Sequence, residues 1–263
     1  MPVTAACIDI TALNRPMDVA YLQRDALHLR NEPNLESFLE WVDDQQPENI
    51  AVDAPSKQNI GLVPGHREFY GIPEDRYENF RIAEVLLRMK NIGLYNTPQE
   101  NPPMWMEVGW DLYAQLGNMN YNLWDTPGVP TLAPNMMLEV HPHASVVVGL
   151  GWIPQRKQTL AGQLERAAYL RRECHELDIA VEGTLLAVDQ LAQLQGVVTT
   201  WDTIVADGIN LPLLSHDQLD AIAGLTTVVR AVRGDAFAVG HQDDGVIVVP
   251  QELADLAYER LHN

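Results

Sequence analysis

Five carboxylates stand where an acidic side chain is either costly or well placed: Asp9, Asp53, Glu139, Asp217 and Asp220. Asp9 sits at the end of "VTAACIDI" (3–10), a β-branched apolar run that reads as a buried strand. Asp53 closes a second such run, "NIAVDAP" (49–55), which Pro55 stops. Glu139 lies inside a third, "NMMLEVHPHAS" (135–145). A carboxylate buried without a partner is expensive, so it must be paired, protonated or bound to a metal. Divalent magnesium or manganese takes hard oxygen ligands supplied by separate elements. A pair of such ions can activate a water and stabilise the leaving oxygen in phosphodiester cleavage. That chemistry needs several carboxylates to meet at one spot, and these five are the candidates.

The last two stand three apart in "SHDQLDAIAGL" (215–225). Ser215 and Gln218 form a capping-box pattern, so a helix over 215–233 is expected. Asp217 then falls in the first turn, where a carboxylate also favours the helix dipole. Asp220 lies one turn further in, beside the apolar stripe of Leu219, Ile222, Ala223, Thr226 and Val229. Its neighbours Gly224 and Thr227 are small, which lets the helix approach a sheet and carries Asp220 toward it. The expected ligand set is Asp9, Asp53 and Asp220. Asp217 completes the site, and Glu139 is a ligand or a nearby base.

Three cations lie near these segments. Lys57, Arg81 and Lys157 are expected to meet phosphate oxygens, or else to be ordinary solvated charge. Glu139, His141 and His143 alternate, which places them on one face of a strand, as part of a metal array or as a satisfied polar edge. Trp105, Trp110, Tyr113, Tyr121 and Trp124 form either a base-stacking surface, the core of an inserted segment, or a homodimer surface. Neither a GxxxxGK phosphate loop nor a GxSxG elbow occurs.

The elements that must position these residues follow from periodicity. "MDVAYLQ" (17–23) and "ALHLR" (26–30) pair with the first strand as a meander, and Asn34 caps a helix over 34–44. Helical patches occupy 77–90 and 104–117 in the proline- and aromatic-rich stretch 56–134, read as a helical insertion. Helices are expected at 159–177, 182–194 and 251–262, and a strand at 244–250. The order gives a single α/β domain over residues 1–263, with a three-stranded antiparallel start feeding parallel strands.

The 263 residues carry 17 Lys and Arg against 36 Asp and Glu, a net charge of −19, so no basic face for gripping duplex DNA is expected. Cys7 and Cys174 form no CxxC pair, and a reducing cytoplasm fits. The start "MPVTAACIDI" lacks the pattern of a signal peptide. The apolar run "ASVVVGLGWI" (144–153) is too short to span a bilayer, so no membrane role is expected.

Taken in order, "CIDI", "AVDAP", "MLEVHPHAS", "HDQLDAIAGL" and "DDGVIVVP" resemble the uncharacterised family of predicted RNase H-like nucleases known as domain of unknown function 429. "DQLDAIAGL" is also similar to the final acidic helix of RuvC-type junction resolvases. The resemblance covers residues 1–55 and roughly 135–252. It implies an RNase H-like mixed sheet flanked by helices, with Asp9 on the central strand, Asp53 on a parallel neighbour, and Asp217 and Asp220 on the last helix. It implies a nuclease or related hydrolase using Mg2+ or Mn2+ on nucleic acid or a nucleotide. The rival reading is a non-catalytic RNase H-like scaffold that serves as a protein-interaction module.

Overall fold

The computed structural model describes residues 3–11, 15–73, 76–181 and 214–252. Its centre is a six-stranded sheet in the order β3-β2-β1-β4-β6-β5. Strands β1 (Val3–Asp9), β2 (Met17–Gln23) and β3 (Ala26–Glu32) form an antiparallel meander. Strand β4 (Asn49–Asp53) lies parallel to β1, β6 (Met136–Glu139) parallel to β4, and the two-residue β5 (Asn122–Leu123) parallel to β6. The antiparallel start feeding parallel strands is thus as expected. The chain is a mixed α/β protein with helices on both faces of the sheet.

Strand alternation assigns the faces. Ala5, Cys7, Ala51, Leu138 and Val140 point into one core, filled by α5 (Pro142–Leu150), α6 (Leu160–Glu176) and α7 (His216–Arg233). Ile8, Ile50, Val52 and Met137 point into the other, under α1 (Leu35–Gln45) and α4 (Met104–Asn118). Helix starts follow local chemistry. Asn34 accepts from Ser37 N at 2.9 Å, and the Thr159 side chain accepts from Gly162 N. The Ser215–Gln218 capping box forms as expected, with Gly234 in the left-handed region at the other end of α7.

The stretch 56–134 contains α2 (Val63–Tyr70), α3 (Ile82–Arg88), α4 and β5. Helix α4 packs on the sheet through Leu112, Tyr113 and Leu116. Helix α3 packs against a hairpin of β7 (Ala236–His241) and β8 (Gly245–Pro250). The sequence reading found β8 but not β7, because "AFAVGH" adjoins a long helix and carries an internal glycine that weakens a strand pattern.

The strand expected over 135–145 is shorter. It ends at Glu139, and Pro142 opens α5 instead of merely stopping a strand, because proline's fixed φ and missing N–H suit the first helical turn. His141 is therefore the residue before a helix and His143 lies within it, so the two do not share a strand face with Glu139. The helix expected at 182–194, and most of that at 251–262, lie outside the described residues. Among the described residues no helix is long and apolar enough to cross a membrane.

Candidate metal centre

The central strand and the capped helix together build the site. Asp9 ends β1 on the face shared with Cys7, directly beside Asp53 of β4 in the parallel register. Helix α7 lies across this face in close contact with β1. A Cβ on Gly224 would collide with the Cys7 Sγ, so only glycine permits this approach. Thr227, the other small residue, bonds Ser145 of α5 at 2.7 Å. This contact brings the start of α7 over the strand tip. Asp220 is 4% exposed, so it points to the sheet as its neighbours suggested.

One ligand oxygen each from Asp9, Asp217 and Asp220 lies within 4.8 Å of the others. The group suits a hard divalent cation: three carboxylates, from two separate elements, two of the three buried. The electrostatics call for such a charge. Burial, then Asp53, Asp220 and Asp217, hold the Asp9 carboxyl well above the ordinary aspartate value. Burial and then Asp220 push Asp53 up to about 8. Within bonding reach, Asp220 has the Lys157 Nζ at 2.5 Å. Asp217 has His216 Nδ1 at 2.5 Å and Arg15 at 3.7 Å. Three aspartates meet here, with Asp217 in the place expected for Asp53; Asp53 stands beside Asp9 on β4, outside the group of three.

These groups form the floor of a cleft of about 730 Å³. Tyr95 and Trp105, 6.0 Å apart in an edge-to-face pair, line the cleft along with Arg156 and Arg166. Trp105 is the aromatic from the 105–124 stretch that reaches the cleft lining; Tyr113 and Tyr121 are buried in the core.

The other expected site residues are placed differently. Glu139 pairs in register with Val52, so alternation turns it to the opposite sheet face from Asp9 and Asp53. There it accepts from Arg81 Nη1 and Nη2, at 2.9 and 2.5 Å, and from Ser56 N at 2.7 Å. Arg81 is 1% exposed and also donates through Nε to Glu84. Lys57 bonds Asp125 at 2.8 Å and the Gln242 carbonyl at 2.6 Å. Of the three cations expected at substrate, Lys157 is thus the one bonded to the aspartate group. His141 bonds the Gly93 carbonyl at 3.1 Å and stands 4.0 Å from Asp53. Burial, with His141 next, lowers His143 to about 4.

Sequence reasoning missed Arg166. A signal existed: it lies on the buried stripe of α6, among Gly162, Ala167, Tyr169 and Leu170, where a cation is out of place.

With this geometry in hand, the family can be stated. A model described as "Protein of unknown function (DUF429)" matches residues 15–244. The chain belongs to the DUF429 family. The match covers β2 through the β7–β8 turn, including Asp53, Asp217 and Asp220, and begins after Asp9. Neither the curated proteins nor the solved structures gave a match.

Proposed function

We propose that this DUF429 member is a divalent-metal-dependent phosphodiesterase of RNase H-like architecture, acting on nucleic acid or a nucleotide. The observation that carries the reading is the convergence of Asp9, Asp217 and Asp220, more than 200 positions apart in the chain, within 4.8 Å. The sheet order adds support. Asp9 sits on a central strand, Asp53 on its parallel neighbour and both later aspartates on one helix, as the RNase H-like resemblance implies.

Asp9, Asp217 and Asp220 are the residues that would hold Mg2+ or Mn2+. Bound there, such an ion supplies Lewis acidity toward a phosphoryl oxygen and makes a coordinated water a stronger acid. Asp53 stands next to Asp9 with its proton affinity raised, so it can hold or take up a proton near neutral pH. Lys157 balances Asp220 and offers an ammonium at the cleft wall. Tyr95 and Trp105 add aromatic rings to the cleft wall, and a base can stack on the face of either one. The chain's net charge of −19 favours a nucleotide or a short single strand over a long duplex gripped by charge.

The test is metal-dependent cleavage of short single-stranded oligonucleotides and nucleotides. Asp9→Asn and Asp220→Asn should abolish cleavage and the Mn2+-induced rise in Tm while leaving the circular dichroism spectrum unchanged. Normal cleavage by both variants rules the reading out.

A further inference from the structure

Arg166 is 3% exposed, lines the acid cleft, and has no carboxylate within ion-pairing distance among the described residues. Buried arginines are normally compensated, as Arg81 is by Glu84 and Glu139 in this same molecule. Arg166 instead donates Nη1 to two carbonyls, Gln155 O at 3.0 Å and Gly162 O at 3.3 Å, and Nη2 to His143 Nδ1 at 3.1 Å. Its Nε has no partner. A guanidinium carries five N–H donors. Three are used, leaving Nε–H and one Nη2–H, on the two nitrogens that share one edge of the planar group. That edge is the fork that takes two oxygens of a phosphate side by side.

His143 extends the fork. Arginine can only donate, so His143 Nδ1 must be the acceptor, and its hydrogen therefore sits on Nε2. His143 also lines the cleft. One contact thus fixes the imidazole as a third donor.

We infer that Arg166 and His143 form a seat for a phosphate group in the wall of the acid cleft, beside the three-aspartate group. The inference rests on the phosphodiesterase reading and narrows it: the substrate presents a phosphate, bridging or terminal, to this seat while the reacting bond lies over Asp9, Asp217 and Asp220. Among the described residues no carboxylate bonds the cation directly, because its counter-charge arrives with the substrate. The two carbonyls, Gln155 in the cleft lining and Gly162 in α6, hold the guanidinium in place without neutralising it, since a carbonyl accepts a hydrogen bond but carries no net charge. The seat also answers the problem set by a charge of −19: the cleft recognises an anion through a dry, fixed fork, where no bulk electrostatic attraction is available.

Inorganic phosphate is the probe, titrated calorimetrically into the full-length protein with EDTA and again with Mn2+. The wild type should bind phosphate saturably in both media. Arg166→Met, which keeps the apolar stem, should weaken phosphate binding by about ten-fold or more while its Mn2+ isotherm matches wild type. Arg166→Lys should recover only part of the loss, because an ammonium cannot form the fork. Equal phosphate affinity in wild type and Arg166→Met overturns the seat, as does absence of phosphate binding to the wild type in both media. A wild type that binds phosphate through Arg166 but has no saturable Mn2+ site upholds the seat and overturns the metal reading. Should Arg166→Met fail to fold, tungstate soaked into wild-type crystals decides: anomalous density within hydrogen-bond distance of the Arg166 guanidinium upholds the seat, and density only elsewhere removes it.

Discussion

Two acidic groups lie at the same edge of one sheet, on opposite faces, and the fold treats them differently. Under α3, Glu84 and Glu139 flank Arg81. All four carboxylate oxygens accept fixed donors, from Arg81, Ser56 and Thr97. Under α7, Asp9, Asp53, Asp217 and Asp220 crowd together, and the cations within reach, Lys157 and Arg15, touch only Asp220 and Asp217. Burial alone therefore does not mark a site. The first group has every carboxylate oxygen hydrogen-bonded around one shared cation, and it ties β6, α3 and the β7–β8 turn into one unit. Both groups border the same cleft, but the second is an excess of like charge with few fixed donors, which something from outside must balance.

The largest expected effect tests the closed side. Glu139→Ala leaves Arg81 Nη2 and the Ser56 N–H without their carboxylate in the interior, with Glu84 still on Nε, and should cost about 3 kcal/mol in urea denaturation. Its Mn2+-induced stabilisation, measured as a Tm shift, should persist. Loss of that shift would show that the two faces are one site.

Gly224→Ala acts on the open side without touching a carboxylate. The added methyl meets Cys7, so α7 must lift from β1, at about 1–3 kcal/mol. Because the lift separates Asp217 and Asp220 from Asp9, Mn2+ affinity should fall as well. Unchanged affinity would break the claim that this contact sets the ligand geometry.

The third expectation concerns pH. In the folded chain Asp53 keeps its proton up to about 8, whereas unfolding returns it to the ordinary value of 3.8. Between those values the folded state binds more protons, so stability falls as pH rises through the window. Asp9, raised in the same direction, adds to the trend. In EDTA the Tm should drop from pH 5 to pH 8.5, by about 2–4 °C for each kcal/mol lost. Asp53→Asn should flatten the drop, and Mn2+ should reverse it. A wild-type Tm that is level or rising across this range in EDTA would mean that the aspartates are already compensated.

The smallest effect is that of Lys157→Met. Removing this partly exposed ammonium should lower the Tm slightly in EDTA and enlarge the rise caused by Mn2+, read by differential scanning fluorimetry. A smaller rise than in wild type would argue against competition between the lysine and the cation.

Much of this arrangement was legible in the chain. The capping box, the small residues beside Asp220, and the two aspartates closing apolar strands fixed where α7, β1 and β4 would meet. What escaped depends on register and on partners distant in sequence. Nothing local shows that Glu139 aligns with Val52 rather than Asp53, yet that one-residue step turns it to the other face. "VHPHAS" alternates like a strand until proline is read as a helix opener. Arg81 looks like surface charge until Glu84 and Glu139 close on it, and the stripe of α6 marks Arg166 as out of place without showing that its Nε has no partner.

The Lys157–Asp220 contact implies a sequence of events. An ion held by Asp220 would compete with the ammonium bonded to its Oδ2 at 2.5 Å. On the proposed reading, the freed side chain then projects a positive charge into the cleft at the moment the aspartates lose their repulsion for an anion. Loading the ion would thus add a second positive group to a cleft that already seats phosphate, tightening the hold on a phosphate ester without being required for it, while cleavage itself would need both ion and ester in place.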